Sequence, residues 1–279
     1  MKQLSYDDNK KGKLYLIPTP IGNLEDITIR ALNTLKNVDI IFAEDTREAY
    51  NLLKYYDINK KIESCHKYSE MKHKDKIIKL LNDGKNIGYV SDSGTPLISD
   101  PGNYIVNEVI KQEINVVALP GATALIPALN MSGLDNSKFI FYGFLNNKKS
   151  VAEKELKKLK NVNYTLIFYE SPYRVKKTLE LIYRIFGNRK IALVREISKL
   201  HEEIIRGYVL EVINNIEVLK GEFVIVVEKN QDIEEKAINY KEIVNELCKK
   251  GFTKKDAVRE VSTKYNIRKN KLYEECKEK

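Results

Sequence analysis

Short apolar runs rich in β-branched residues alternate with amphipathic segments from Leu14 onwards. The apolar runs predict strands at 14–17, 38–43, 87–90 and 116–119. Apolar residues at helical spacing between these runs predict helices at 27–35, 47–55, 74–82 and 103–111. Because the strands are continuously rather than alternately apolar, we expect a mostly parallel sheet that is covered on both faces.

A second series of strands and helices follows along the chain. Its predicted strands are 139–142, 165–169, 191–194, 203–205 and 223–227, and its predicted helices are 151–159, 173–186 and 209–216. These later strands follow one another more closely, which favours an antiparallel or mixed sheet. The predicted fold class is therefore α/β, with two lobes and a cleft between them.

After Glu228 the pattern becomes purely helical. Thr253 followed by Asp256 is typical of a capped helix start, and Val258, Val261 and Tyr265 then fall on one helical face. A turn at 266–267 and a second helix at 268–276 complete this part. We expect four regions: a flexible tail at 1–12, an N-terminal α/β lobe at 13–134, a C-terminal α/β lobe at 135–232, and a basic helical module at 233–279.

Composition excludes several classes of protein. The 279 residues are 43% hydrophobic, which argues against wholesale disorder, and they contain no apolar run long enough to span a membrane. The N-terminus lacks the apolar core of a secretion signal. Cys65, Cys248 and Cys276 are far apart and form no CxxC pair, so we expect a reducing, cytoplasmic location without disulfides. Cys65, His66 and His73 lack a fourth ligand, and no metal site is predicted.

The net charge of +9 favours a polyanionic partner, although a Lys-rich composition alone can produce such a value. Much of this charge is local. Residues 249–271 carry a net +7 and residues 148–160 a net +4. A basic helix can be merely a solvated face, but two such stretches are also what contacts with nucleic acid phosphates require.

Three Gly/Pro loops come directly after predicted strands, at 18–22, 91–96 and 120–124. Strand ends share one edge of a parallel sheet, and ligands bind there. Neither G-x-G-x-x-G nor a P-loop motif is present, which argues against NAD and P-loop nucleotides. Charged clusters follow other strands at 44–47, 170–174 and 195–199. They can act as local caps, or they can surround a polar substrate at the cleft mouth.

Eight motifs occur in an order that resembles a known family. They are LIPTPIGNLEDITIRAL, FAEDTR, SDSGTPLISDPG, PGATA, SGL, FYGFL, YESPYR and REISK. The chain from Lys13 to about Val227 is similar to the ribosomal RNA methyltransferases of the tetrapyrrole methylase superfamily. The resemblance implies a two-lobed fold, S-adenosylmethionine as cosubstrate and a homodimer. It also implies 2′-O-methylation of a cytidine ribose in the decoding region of 16S rRNA, with the rRNA or the small ribosomal subunit as partner.

The resemblance also implies which residues bind the cosubstrate, and the charged clusters add candidates for catalysis and RNA binding. The cosubstrate contacts would be Ile21, Ser93, Gly94, Thr95, Ile98, Thr123 and Ala124, with further contacts near Glu170 and Ile197. The catalytic candidates are Asp45, Arg47, Glu170 and Arg195. The substrate-binding candidates are Glu44, Arg174, Lys199, Lys254, Lys255 and Arg268, the last three in the module at 233–279, which would bind RNA.

Two departures from the family pattern bear on function. Ser93 replaces the usual Ala of the second loop, and Tyr173 replaces the usual His of the ESPHR segment, which puts any proton transfer by that His in doubt. Two alternatives remain open at this stage. One is a true tetrapyrrole methyltransferase, and the other is a non-catalytic RNA-binding or assembly factor that has kept the fold.

Overall fold

The N-terminal lobe is a parallel five-stranded sheet with helices on both faces. A computed structural model describes residues 3–4, 11–66, 70–230, 240–265 and 268–276. The strands are β1 (Leu14–Leu16), β2 (Ile40–Ala43), β3 (Ile62–Ser64), β4 (Ile87–Val90) and β5 (Val116–Ala118), in the order β3-β2-β4-β1-β5. The helices between them are α1 (Ile29–Asn37), α2 (Thr46–Tyr55), α3 (Glu70–Asn82) and α4 (Asn103–Lys111).

Two apolar clusters cover this sheet, one on each face. Leu14, Phe42, Ile87 and Tyr89 pack with α3 and α4, whereas Ile17, Ile41 and Val90 belong to the cluster with α1 and α2. β2 and β4 are buried along their whole length. The predicted parallel, doubly covered sheet is thus confirmed. The order of the strands also makes β4, β1 and β5 neighbours, so the three Gly/Pro loops follow three adjacent strands.

The C-terminal lobe is a mixed sheet of five longer strands. They are β6 (Phe139–Phe144), β7 (Thr165–Glu170), β8 (Lys190–Arg195), β9 (Glu203–Tyr208) and β10 (Phe223–Val227), in the order β6-β7-β10-β8-β9. Only β6 and β7 pair in parallel, and the other neighbours are antiparallel. As a result, the ends of β7 and β8 lie beside the start of β10, where Phe223 pairs with both Glu170 and Arg195.

Helices cover both faces of this second sheet. One face carries α6 (Lys149–Leu159), α7 (Val175–Phe186) and α8 (Val209–Asn215). The other carries α5 (Leu125–Ser132), whose Ala128 and Leu129 pack against Ile167, Ala192 and Val226. The helix that follows the third loop therefore belongs to the core of the second sheet, although the predicted lobe boundary lies after it.

The chain divides into two compact units, 1–229 and 230–279. The second unit contains α9 (Tyr240–Lys249), α10 (Lys254–Tyr265) and α11 (Lys269–Cys276) around Val244, Val258, Val261 and Leu272. The predicted cap of α10 is confirmed, because Thr253 Oγ1 accepts a hydrogen bond from Asp256 N at 3.2 Å and donates to Asp256 Oδ2 at 2.6 Å. The predicted turn at 266–267 and most of the predicted tail at 1–12 lie outside the described residues.

In the described part of the chain, no helix is both long and apolar enough to cross a membrane. The same part holds no group of three or more His, Cys, Asp or Glu side chains placed to bind a metal ion. Cys65 is buried directly after β3, where its backbone N–H donates to Ala43 O at 2.7 Å.

Candidate active site

A cavity of about 360 Å³ lies between the two sheets at the ends of their strands. Its N-terminal wall is made of the three Gly/Pro loops and its C-terminal wall of the ends of β6 and β7, the start of β10 and the loop after β8. All seven residues predicted as cosubstrate contacts line it: Ile21, Ser93, Gly94, Thr95, Ile98, Thr123 and Ala124. Glu170 and Ile197 line the opposite wall.

One backbone hydrogen bond and one side-chain hydrogen bond tie the three loops together. Thr19 N donates to Gly94 O at 3.0 Å, which joins the first loop to the second. Thr95 Oγ1 donates to Ala122 O at 2.8 Å, which joins the second loop to the third. Gly94 has φ +80°, and a Cβ built on it would lie 2.9 Å from Ile21 Cγ2 and 3.3 Å from Ala122 O. Glycine therefore permits a close approach of all three loops that another residue would prevent.

Strained backbone is concentrated in two loops at this site. Six non-glycine residues of the described chain have positive φ, and four of them are Leu97 (72°), Ser99 (69°), Glu196 (52°) and Ser198 (70°). The first two directly follow the second loop, in the segment between it and α4, and the last two lie in the loop after β8. Such conformations cost free energy and persist where the surroundings impose them, as they do at ligand sites.

The segment after the second loop and the end of β7 supply two carboxylates with different environments, Asp100 and Glu170. Burial is the main factor that raises the pKa of Asp100 to about 6; a hydrogen bond from Ser91 lowers it, and the nearby charge of Asp92 raises it again. Glu170 is almost fully buried but well supplied with donors. Ser171 N donates to its Oε1 at 2.8 Å, Thr178 Oγ1 donates to its Oε2 at 2.6 Å, and Arg174 Nε lies 3.4 Å from Oε1.

The charged side chains that line the cavity are all acidic. Among the described residues that line the cavity none is Lys, Arg or His, whereas Asp100, Glu170 and Glu222 are acidic. Much of the remaining wall is apolar, including Ile21, Ile98 and Phe223. A site with this lining suits a partly apolar ligand that carries positive charge and opposes the binding of a phosphate.

Comparison with known proteins agrees with this geometry. Residues 13–213 match the model of the tetrapyrrole (corrin/porphyrin) methylases. The protein named ribosomal RNA small subunit methyltransferase I from Bacillus subtilis (strain 168) is 44% identical over 283 residues, which cover 98% of this chain and 97% of the relative. The chain belongs to the tetrapyrrole methylase family, in the group of ribosomal RNA small subunit methyltransferase I.

Two further likenesses define the extent of the match. A protein of the same name from Thermotoga maritima is 46% identical over 217 residues, which cover 77% of this methylase and 97% of the relative. The solved structure of uroporphyrin-III-C-methyltransferase from Thermus thermophilus aligns with TM-score 0.57 and 17% identity, over 81% of this chain and 98% of that one. At this identity the structure shows the fold of the methylase, and the two-lobed fold class is confirmed.

Asp45, Arg47 and Glu44 follow β2 and do not line the cavity. Asp45 begins α2 as its N-cap, accepting from Arg47 N at 2.8 Å, and its side chain pairs with Arg47 Nη2 at 2.5 Å. The hydrogen bond from the Arg47 side chain is the largest factor that lowers the pKa of Asp45 to about 2. Asp45 N donates to Asp92 Oδ1 at 2.9 Å, which places this ion pair beside the second loop of the methylase.

Arg195, Lys199 and Arg174 belong to the second lobe and take part in ion pairs there. Arg195 Nε lies 2.7 Å from Glu203 Oε2 across the β8–β9 pair. Lys199 Nζ bridges Glu196 at 2.9 Å and Glu222 at 3.1 Å. Burial acts to raise the pKa of Glu196, yet the hydrogen bond from Lys199 leads the effects that lower it overall. Arg174 and Lys199 thus each contact an acidic residue of the cavity wall, Glu170 and Glu222 respectively.

The remaining predicted substrate contacts, Lys254, Lys255 and Arg268, are exposed in the second unit. The structure also adds residues to the cavity wall that were not predicted as site residues, notably Asp100, Phe144, Tyr169 and Glu222. Asp100 belongs to the ISDPG end of the motif SDSGTPLISDPG, so the signal was present in the sequence. Glu222 follows no motif and reaches the site only because β10 begins beside β7 and β8.

Proposed function

We propose that this methylase transfers a methyl group from S-adenosylmethionine to the 2′-hydroxyl of a cytidine in the decoding region of 16S rRNA. The observation that carries the proposal is the acidic, partly apolar cavity in which the three motif-bearing loops meet. The names of the relatives support ribosomal RNA as the substrate. The proposal includes a cytoplasmic homodimer that acts on the rRNA or on the small subunit, as the resemblance of the sequence implies.

The residues of the cavity fit S-adenosylmethionine. Ile21, Ile98 and Phe223 offer apolar surface, and Thr95 and Thr123 offer hydroxyl groups. The absence of a side chain at Gly94 lets the three loops approach closely enough to line one cavity. Asp100 and Glu170 offer negative charge to a cosubstrate that is cationic at its sulfonium and at its ammonium group. We assign cosubstrate binding to Ile21, Ser93, Gly94, Thr95, Ile98, Thr123 and Ala124.

The bound cosubstrate supplies an electrophilic methyl group. The chain has two tasks: to hold the ribose oxygen in line with that methyl group, and to accept the proton that the hydroxyl loses as the new O–C bond forms. Glu170 is the proposed acceptor, because it is the one of the four catalytic candidates that lines the cavity. Donors from Ser171, Thr178 and Arg174 fix the orientation of its carboxylate.

The other catalytic candidates have proposed roles around the mouth of the cavity. Arg47 is exposed and bound to Asp45, so it is placed to contact an RNA phosphate while Asp45 fixes its position. The Arg195 side chain is much less exposed than that of Arg47. Its proposed role is to support the loop that follows β8 through its ion pair with Glu203. Glu44, Arg174, Lys199, Lys254, Lys255 and Arg268 are proposed to contact the RNA.

The decisive experiment is methyl transfer from tritiated S-adenosylmethionine to small subunits from a strain that lacks the corresponding methylase, followed by mapping of the methylated ribose. We expect incorporation at one cytidine 2′-oxygen. Label in a base, in another nucleotide or in a tetrapyrrole but not in rRNA would contradict the proposal. Naked 16S rRNA assayed in parallel shows which form of the substrate is used.

Arg47→Ala separates the RNA side of the site from the cosubstrate side. We expect the variant to lose most methyl transfer and to keep its affinity for S-adenosylmethionine, because Arg47 does not line the cavity. Calorimetry with the cosubstrate and the transfer assay measure the two effects. If cosubstrate binding disappears together with activity, Arg47 does not serve the RNA.

A further inference from the structure

A second cavity, of about 520 Å³, opens between α6 and α7 on the surface of the C-terminal lobe. We call it the basic groove. Four of its lining side chains are basic, namely Lys149, Arg174, Lys177 and Arg184, and one is acidic, Glu180. Its lining therefore differs in sign from the acidic lining of the cleft cavity. A cavity with this charge is suited to bind an anion such as a phosphodiester.

Two of the basic side chains in the groove are available to a ligand. Within the described part of the chain, neither Lys149 nor Lys177 forms an ion pair with an acidic side chain. Arg184 is paired with Glu153. Arg174 is held in place by hydrogen bonds that it donates to Leu145 O, Asn146 O and Asn147 Oδ1. The groove thus combines guanidinium groups that are held in place with two lysines that form no ion pair with any described residue.

The basic groove and the cleft cavity share a wall. Glu170 lines the cleft, whereas the two side chains that hold its carboxylate, Arg174 and Thr178, line the groove. A phosphate bound to Arg174 would therefore lie directly across this wall from the proposed proton acceptor. A strand bound in the groove would thus lie beside the cleft, with its phosphates on the basic side of the wall.

An exposed aromatic ring stands on the ridge between the two cavities. Tyr173 lies between Pro172, which lines the cleft, and Arg174, which lines the groove, and it is 90% exposed. Phe144, in the cleft wall, is also 52% exposed. Exposed aromatic rings beside a basic groove are the pattern by which proteins stack the bases of single-stranded nucleic acid.

We infer that the basic groove binds the sugar-phosphate backbone of a single-stranded segment of the substrate next to the methylated nucleotide, and that Tyr173 stacks with a base of that segment. The inference rests on the proposed function, since it takes RNA as the substrate. It assigns a role to the Tyr that replaces the usual His: stacking in place of proton transfer.

The groove is tested by the salt dependence of RNA binding to the full chain. The variant is Lys149→Ala/Lys177→Ala, and the matched control is Lys154→Ala/Lys176→Ala, which removes two exposed lysines from the same helices outside the groove lining. Affinity for a single-stranded RNA of the decoding-region sequence is measured by fluorescence anisotropy at several salt concentrations. The groove variant should lose about 1.4 from the slope of log K against log salt, because each single-strand phosphate contact contributes about 0.7.

The control should retain the wild-type slope, and both variants should keep the wild-type thermal midpoint. Equal slopes for the groove variant and wild type, or equal losses in groove variant and control, would overturn the groove assignment. Wild-type chain that binds this RNA with the expected slopes but transfers no methyl group to it or to small subunits would contradict the proposed function and leave the groove in place.

Stacking is tested by two substitutions at Tyr173. Tyr173→Ala should weaken RNA binding by about tenfold at every salt concentration without changing the slope, because stacking involves no release of ions. Tyr173→Phe should bind as wild type, since it keeps the ring and loses only the hydroxyl. An equal loss in both variants would assign the effect to the hydroxyl, and no loss in either would remove Tyr173 from the RNA site.

Discussion

Gly94 controls how closely the three loops approach one another at the cleft cavity. Its φ of +80° is a backbone conformation that residues with a side chain rarely adopt. In addition, a Cβ built at this position would lie only 2.9 Å from Ile21 Cγ2, which is too close. We expect Gly94→Ala to lose most affinity for S-adenosylmethionine, because the first loop must move away from the second. Isothermal titration with the cosubstrate measures the change.

Gly133 provides the matched control for this substitution. It has a similar φ of +73°, at the end of α5, but no atom lies within 4 Å of its built Cβ. Gly133→Ala should therefore carry the backbone strain without the steric clash and bind the cosubstrate nearly as wild type. Equal losses at both positions would mean that strain alone, and not the approach of the loops, determines binding.

We expect Asp100 to make the proposed binding of S-adenosylmethionine depend on pH. Burial holds its pKa near 6 in the free protein, against an ordinary value of 3.8. Below that pH the carboxyl group is neutral and no longer attracts a cationic ligand, so S-adenosylmethionine should bind more weakly at pH 5 than at pH 8. Titrations between these values should give a flatter profile for Asp100→Asn, whose side chain carries no charge throughout. Parallel profiles for the two proteins would exclude Asp100 as the titrating group.

At the scale of elements, α5 connects the third loop to the second sheet. The hydroxyl of Tyr169, at the end of β7, accepts a hydrogen bond from Leu125 N at 3.1 Å and lies 3.4 Å from Thr123 Oγ1. The first turn of α5 and the third loop are thereby fixed to the C-terminal lobe. The cavity depends on this connection, because Thr123 and Ala124 lie between the two lobes.

Removing that hydroxyl should loosen the third loop. Tyr169→Phe leaves Leu125 N–H without its acceptor, and we expect cosubstrate affinity to fall by about threefold to tenfold, the usual contribution of one hydrogen bond. Tyr164→Phe, at a side chain that is 40% exposed and outside the cavity, is the control and should have no effect. Affinity measured by calorimetry that does not change in Tyr169→Phe would show that packing alone fixes the loop.

The elements that sequence reasoning missed have identifiable reasons. β3 is three residues long and contains Glu63 on a partly exposed edge strand, so it lacks the apolar run that identifies its neighbours. α5 is eight residues long and contains Pro127, which is typical of a loop. Pro is tolerated there because the first turn of a helix has no internal partner for its N–H groups.

The residues of the candidate site could be predicted from the sequence only where they lie in a recognisable motif that follows a strand. All seven predicted cosubstrate residues line one cavity because β4, β1 and β5 are adjacent and parallel, and their carboxyl ends therefore share one edge of the sheet. Tyr169 and Glu222 reach the same cavity from the second sheet. Their position depends on the pairing of β7, β10 and β8, and no local pattern in the sequence indicates that register.

At the scale of the whole molecule, the two compact units have different proposed roles. The cavity and the basic groove lie entirely in residues 1–229. The Thermotoga maritima relative aligns over only 217 residues, yet 97% of it is covered and it bears the same name. The second unit has its own apolar core around Val244, Val258 and Val261, and residues 249–271 carry a net +7. We therefore propose that the second unit contributes to RNA affinity and not to chemistry.

Deletion of residues 233–279 should therefore separate RNA affinity from cosubstrate binding. The truncated chain should bind S-adenosylmethionine as the full chain does, because every residue of the cavity remains. Its affinity for 16S rRNA should be lower, and the slope of log K against log salt should be smaller, because fewer cations remain to release counterions. Calorimetry with the cosubstrate and anisotropy with the RNA give both values. An unchanged slope would mean that the positive charge of this unit faces solvent and contributes nothing to substrate binding, whereas loss of cosubstrate affinity would mean that the first unit needs the second to form its cavity.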